Sequence, residues 1–191
     1  MLNLVLFGKP GSGKGTQANF LKDKYDLIHI STGDVFRKNI KNQTELGVKA
    51  QGYTQNGELV PDDVTVSMLE NEIKQNLPCN GFIFDGFPRT LNQADEMNKI
   101  LFKYKMELSA IVALEVDDDL LTDRLLKRGL ISGRSDDQSR EKILTRLNEY
   151  RNKTEPLIDY YSKINRFYSV SGVGEINEIS SRLLDLIESV R

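Results

Sequence analysis

Five short apolar runs punctuate the chain, at residues 2–7, 27–30, 82–84, 110–116 and 167–170. They are rich in Ile, Val, Leu and Phe without strict alternation, as in strands covered by helices on both faces. Between them lie amphipathic stretches long enough for helices, at 62–75, 91–105, 118–128, 140–153 and 176–190. A helix-compatible run, Gln17-Ala18-Asn19-Phe20-Leu21-Lys22, follows the first strand after a turn. Strand and helix alternate from end to end, which predicts an α/β fold with a parallel sheet and helices on both sides. Two regions break the rhythm. Residues 31–60 are polar and carry Gly33, Gly47, Gly52 and Gly57, and residues 129–139 are short and charged. Both read as surface excursions from the sheet. There is no repeat and no low-complexity linker.

The turn after the first strand carries the strongest chemical signal, Gly8-Lys9-Pro10-Gly11-Ser12-Gly13-Lys14-Gly15-Thr16. Strand, glycine-rich turn, lysine and helix make the arrangement of a phosphate-binding loop. The glycines let successive backbone N–H groups turn inward around an anion. The helix N-terminus adds partial positive charge and Lys14 a full one. Gly15, not Ser or Thr, follows the lysine, and the hydroxyl comes one residue later at Thr16. That weakens the case for a side-chain hydroxyl directly on Mg²⁺. In such sheets ligands sit beyond the carboxyl ends of the strands. Ser31-Thr32-Gly33-Asp34 and Asp85-Gly86-Phe87-Pro88-Arg89 also follow predicted strands, so all three segments should open onto one crevice.

Bulk properties narrow the classes. At 191 residues the chain can form one domain with a full core. A formal net charge of -2 and a pI near 5.6 argue against a nucleic-acid-coating protein. No apolar stretch approaches the roughly 20 residues a membrane helix needs. The first strand begins at Leu2, so no signal peptide is expected. Cys79 is the only cysteine, which excludes intrachain disulfides and a cysteine-cluster zinc site. Together these point to a reduced, cytoplasmic setting.

Chemistry on phosphates brings several negative charges together, and fixed cations must offset their repulsion. Arginine suits this because its planar fork holds two phosphate oxygens and stays charged when desolvated. The candidates are Arg37, Arg89, Arg124, Arg128, Arg134 and Arg146. Singly, each reads as a solvated surface residue. Arg37 and Arg89 stand out because they lie just past strand ends, and Arg124 and Arg128, four apart, share a helix face. Asp85 ends the third strand, where it can orient water on Mg²⁺ or simply cap a helix. His29, the only histidine, lies in an apolar run and reads as structural, and Cys79 has no nearby cation to activate its thiol. The absence of a nucleophile–base pair fits transfer to an acceptor phosphate, whose oxygen is already anionic.

These residues fall into a known pattern. The chain resembles the adenylate kinases of the short type, within the nucleoside monophosphate kinases. The resemblance runs almost from end to end through the phosphate loop, Ser31-Thr32-Gly33-Asp34, Leu59-Val60-Pro61-Asp62 and Phe84-Asp85-Gly86-Phe87-Pro88-Arg89-Thr90. It continues through Arg124-Leu125-Leu126-Lys127-Arg128-Gly129, Ser132-Gly133-Arg134-Ser135-Asp136-Asp137 and Arg146-Leu147-Asn148-Glu149-Tyr150. The Gly15-Thr16 pair is that family's own form of the loop.

The resemblance implies a three-layer α/β/α nucleotide-kinase fold with a five-stranded parallel sheet in a single domain. Its core would be 1–30, 61–126 and 138–191, with an AMP-binding segment at 31–60 and a short lid at 127–137. It implies the reaction ATP + AMP ⇌ 2 ADP with Mg²⁺, in a monomer that takes no nucleic acid or membrane as partner. Gly11, Ser12, Gly13, Lys14, Gly15 and Thr16 would cradle the ATP phosphates. Arg124 and Arg128 would lie on the ATP side, and Gly174 would offer a backbone contact to the ATP adenine. Thr32 and Arg37 would contact AMP, Glu58, Leu59 and Val60 would line its adenine pocket, and Gln93 would read the adenine edge. Gly86, Phe87, Pro88 and Arg89 would hold AMP, while Arg134 and Arg146 would clamp the transferring phosphoryl group. Asp85 would reach Mg²⁺ through water. The lid is short and cysteine-free, so no structural zinc is expected. A UMP/CMP kinase of the same fold is the nearest rival, but it typically has Ala where Thr32 stands and Asn where Thr90 stands. A nucleotide-binding switch without catalysis is the rival of another class, and it needs fewer arginines than this chain has.

Overall fold

The structure, a computed structural model, describes residues 1–190. In chain order its elements are β1 (Leu2–Phe7), α1 (Lys14–Tyr25), β2 (Ile28–Ser31), α2 (Thr32–Lys41), α3 (Glu45–Asn56), α4 (Asp62–Gln75) and β3 (Gly81–Asp85). Then come α5 (Leu91–Lys103), β4 (Ala110–Glu115), α6 (Asp118–Ser132), α7 (Arg140–Glu149), α8 (Leu157–Ser162), β5 (Phe167–Ser171) and α9 (Ile176–Val190).

Neighbouring side chains of a strand point to opposite faces, and here both faces are apolar. Leu4 and Leu6 of β1, Ile83 of β3 and Val112 of β4 pack with Ala18 and Leu21 of α1 and Leu183 and Ile187 of α9. Val5 and Phe7, Phe82 and Phe84, and Ile111 face the other way, onto Leu69 of α4, Met97 of α5 and Tyr161 of α8. The result is the expected three-layer α/β/α sandwich around a five-stranded sheet. Its order is β2-β3-β1-β4-β5, and every pairing is parallel. The carboxyl ends of β1, β2 and β3 therefore emerge side by side on one edge of the sandwich. Buried Gln17 ties α1 to α9 by accepting from Ser180 Oγ at 2.9 Å and donating to the Ile176 carbonyl at 3.1 Å.

Three stretches differ from their sequence patterns. The polar region 31–60 is not loop but the helical pair α2 and α3, each with a side-chain N-cap. Ser31 Oγ accepts from the Asp34 amide and Thr44 Oγ1 from the Gly47 amide. The pair has its own small core of Phe36, Ala50, Val60 and Met68. Helix α6 continues four residues past the expected 128 to Ser132, and ends at Gly133 in the left-handed conformation, φ +66°. The stretch 140–153 is not one α-helix. After Glu149 it widens into a π-helical turn, Tyr150–Thr154, in which the Glu155 amide donates to the Tyr150 carbonyl at 2.8 Å, and α8 follows. A further small core of Leu121, Leu125, Ile143 and Leu147 joins α6 to α7. Among the described residues, no helix is long and apolar enough to cross a membrane.

Candidate active site

The three strand-end segments meet as expected. A cavity of about 540 Å³ is lined by Gly11, Gly13, Lys14, Gly15 and Thr16 of the glycine-rich loop, by Asp34 and Arg37 beyond β2, and by residues 85–89 beyond β3. Arg124 and Arg128 from α6, Arg134 from the following turn, and Arg146 from α7 line the same cavity. Beside it a recess of about 80 Å³ is lined by Thr32, Glu58, Leu59, Val60 and Gln93, and shares Arg37, Gly86, Arg89 and Arg146 with the larger space. Of the residues given a site role by the resemblance, only Ser12 and Gly174 line neither. Ser12 is buried within the loop, its Oγ 3.5 Å from Lys14 Nζ. Gly174 is exposed in the loop between β5 and α9, two residues past Gly172, whose carbonyl accepts from Arg124 at 3.5 Å.

Gly8, Gly11 and Gly13 all take positive φ, which wraps the loop into a cradle. Gly13 gives α1 no side-chain cap, so an anion is the natural acceptor for its first-turn N–H groups. Lys14 Nζ donates to the carbonyls of Gly8 at 2.6 Å and Lys9 at 3.0 Å. The residue as a whole is half-buried, but its ammonium lies deep on the cavity floor. Burial lowers its pKa to about 8. Asp85 works against that shift, while Arg89, Arg146 and Arg128 add to it.

Asp85 sits beside Gly15 and 3.6 Å from His29 Nε2. Burial pushes its carboxyl up, but His29 and Lys14 outweigh that and hold it below the usual range. His29, read as structural, proves to line the cavity, and its Nε2 is buried without a hydrogen-bond partner. Among the described residues no three His, Cys, Asp or Glu side chains converge on a metal. Asp34, the other carboxylate lining the cavity, is taken up by Arg37 and Arg134, which leaves Asp85 beside the glycine-rich loop. A single carboxylate there suits Mg²⁺, which keeps several waters and takes few protein ligands.

Arg89 is held by backbone. Its Nε donates to the Gly86 carbonyl at 2.7 Å, and its own carbonyl accepts from Thr154 Oγ1 at 2.9 Å. Gly86 has φ +78°, and a Cβ there would stand 2.6 Å from Arg89 Nη2 and 2.8 Å from Thr32 Oγ1, so only glycine fits. Burial first, and then Arg146, lower the Arg89 pKa to about 10.

The helix-borne arginines are held by carboxylates. Arg128 grips Asp137 with two bonds, at 2.6 and 3.1 Å. Arg146 pairs with Asp136 at 2.8 Å and also with Asp137. Arg37 donates to Asp34 at 2.6 Å, and Arg134 approaches the same oxygen at 3.5 Å, so Asp34 links α2 to the turn after α6.

Sequence reasoning quoted Asp136, Asp137 and Tyr150 within motifs but gave them no role, and it passed over Thr154. In sequence the region 129–139 stands out only as short and charged, yet both aspartates are buried here. Tyr150 and Thr154 lie in the π turn, which a 3.6-residue period hides. Cys79 lines neither space, and burial raises its thiol pKa.

Comparison with known proteins agrees with this geometry. The family model described as adenylate kinase matches residues 6–166. The chain is 54% identical to the adenylate kinase of Flavobacterium johnsoniae over 190 residues, covering 100% of both chains. It is 46% identical to that of Parabacteroides distasonis over 191 residues, again covering all of both. To that of Leptospira biflexa it is 43% identical over 187 residues, 98% of this chain and 100% of the relative. The phosphate loop, the ring of arginines and full-length similarity lead to one conclusion: this chain belongs to the adenylate kinase family.

Proposed function

We propose that the protein transfers the terminal phosphoryl group of ATP to AMP, giving two ADP, with Mg²⁺ as the accompanying ion. The observation that carries this reading is the convergence of Lys14 and six arginines, Arg37, Arg89, Arg124, Arg128, Arg134 and Arg146, on one cavity that continues into a smaller recess. One polyphosphate does not need so many; two facing nucleotides do.

In this reading the loop 11–16 holds the ATP phosphates, with Arg124 and Arg128 beside them and Gly174 toward the ATP base. Arg37 and Arg89 hold the AMP phosphate. Thr32, Glu58, Leu59 and Val60 surround its adenine, Gln93 reads the base edge, and Gly86, Phe87 and Pro88 shape the floor. An AMP phosphate oxygen forms the new P–O bond as the bond between the γ-phosphorus and its bridging oxygen breaks, and ADP leaves. That oxygen is already anionic, so no general base is required. Lys14, Arg134 and Arg146 stabilise the charge on the group in flight. Asp85 would hold the waters of Mg²⁺, and the ion would supply neutralising charge on the phosphates.

Residues 31–60 act as the AMP-binding segment and 127–137 as the lid, and their closure excludes water that would otherwise take the phosphoryl group. The Asp34–Arg134 contact is the latch between them. The protein works as a cytoplasmic monomer without structural zinc, nucleic acid or membrane.

A coupled assay with ATP, Mg²⁺ and AMP, CMP, UMP or GMP in turn tests the reading. AMP should be the best acceptor. Preference for UMP or CMP would favour the rival kinase, and absence of ADP formation in folded protein would favour a binding switch.

A further inference from the structure

A glutamine amide is a poor reader of purines unless something fixes it. Turned one way, its oxygen accepts and its nitrogen donates. Turned by half a rotation, the two exchange. The first orientation suits the amino-bearing edge of adenine, a donor at the 6-amino group beside an acceptor at N1. The second suits the edge of hypoxanthine or guanine, an acceptor at the 6-oxo group beside a donor at N1. The energy difference between the two orientations therefore sets an upper bound on discrimination.

In this structure the Gln93 amide, buried at 2% exposure, is fixed from both ends. Its Oε1 accepts from the Arg89 backbone N–H at 2.8 Å, and its Nε2 donates to Asp62 Oδ1 at 2.7 Å. The other oxygen of Asp62 is occupied, accepting from Thr90 Oγ1 at 2.8 Å and Asn92 Nδ2 at 3.1 Å. Thr90 Oγ1 in turn accepts from the Gln93 backbone N–H at 3.1 Å. Both partners of the Gln93 amide have one possible polarity. A peptide N–H can only donate and a carboxylate can only accept. Rotating the amide would set oxygen against carboxylate and N–H against N–H. The fixed amide keeps one N–H and one lone pair unused, at the wall of the recess beside Leu59 and Val60.

We propose that Asp62 is a specificity-setting positioning residue, whose carboxylate locks the Gln93 amide in the one orientation that accepts a 6-aminopurine and rejects a 6-oxopurine. Asp62 lines neither the cavity nor the recess. It is the first residue of α4, and so is anchored by that helix rather than by the recess. The proposal rests on the adenine-side role given to Gln93 above.

The test is the ratio of kcat/KM for AMP to that for inosine monophosphate, at saturating Mg-ATP, in the native protein, Asp62→Asn and Gln93→Ala. Asn is the same size as Asp but can present either a carbonyl or an amino group, so it removes one of the two constraints on Gln93 rotation and leaves only the Arg89 N–H. The lock adds one reversed hydrogen bond to the discrimination, so Asp62→Asn should lower the ratio about ten- to a hundredfold, with much of the change from improved use of inosine monophosphate. Equal loss with both acceptors would reduce Asp62 to a structural role and overturn the proposal, as would an unchanged ratio. If the native protein shows no preference, or Gln93→Ala preserves it, the adenine-side reading of Gln93 fails first. Should Asp62→Asn lose its cooperative thermal transition, Asp62→Ala puts the same ratio to the same test.

Discussion

Two sets of cations face one cavity and are held by opposite means. Lys14 and Arg89, at strand ends, are tied to peptide carbonyls, which carry no net charge to offset theirs. Arg128 and Arg146, on helices, are tied to Asp136 and Asp137, which do. The consequence is visible in the pKa values. Burial lowers Lys14 to about 8 and Arg89 to about 10, and the nearby Asp85 offsets that only in part. The strand-end cations are thus held at a cost that a polyanion relieves. Burial lowers Arg146 as well, but Asp136 and Asp137 pair with it directly and oppose the shift, so the helix cations carry their own counter-charge. Removing a charge should therefore have opposite effects on stability at the two places.

The largest expected effect is on turnover at the strand ends. Lys14→Met removes a transition-state cation, and kcat should fall about 10²- to 10³-fold with the circular dichroism spectrum unchanged. Turnover near the native value would remove Lys14 from the chemistry.

On the helix side the expected loss is one of folding. Asp137 is fully buried between Arg128 and Arg146. Asp137→Ala leaves two guanidinium groups short of their counter-charge, and unfolding free energy should drop by about 3–5 kcal/mol. Denaturant titration reads this as a lower midpoint at constant slope. A midpoint at or above the native one would show that the cluster is not the balanced unit described.

The two sets also differ in how legible they were. The strand ends could be read directly. Gly8 to Thr16 announces itself by spacing, and Asp85 and Arg89 fall just past an apolar run whose bounds were right to within a residue. Asp136 and Asp137 could not be read, because their burial depends on arginines delivered by α6 and α7 from 9 residues away on either side. Helices α2 and α3 were hidden by composition. Gly47 and Gly52 weaken the helix signal in α3, and the satellite core under the pair needs only Phe36, Ala50, Val60 and Met68. The capping residues Ser31 and Thr44 were the available signal. The π turn at 150–154 has no counterpart in a periodicity search, yet it is what brings Thr154 to the Arg89 carbonyl.

Within the strand-end set, Arg89 and Lys14 should separate by substrate. Arg89→Ala should raise KM for AMP about ten- to a hundredfold while the Kd for ATP changes by less than about threefold, since Arg89 borders the recess and Lys14 lies in the loop. Calorimetric titration of ATP into the variant decides it. Equal losses for both nucleotides would merge the two subsites.

The finest test of the contrast is the pH dependence of stability. Lys14 loses its proton at about pH 8 in the folded protein and at about 10.5 in the unfolded chain. Between those values the unfolded state binds more protons, so the Lys14 contribution makes stability rise with pH there. Its burial penalty is complete below pH 8 and gone above 10.5. Lys14→Met never carries that penalty, so the variant should be more stable than the native protein by about 1–2 kcal/mol at pH 7, an estimate reduced for the water that reaches the cavity. That advantage should shrink through the alkaline window. Taking the difference between the two proteins at each pH cancels the other tyrosines and lysines that titrate over the same range. A difference that stays flat from pH 7 to 10.5 would mean that the carbonyls of Gly8 and Lys9 compensate the ammonium fully. The strand-end cations would then be as well balanced as the pairs on α6 and α7.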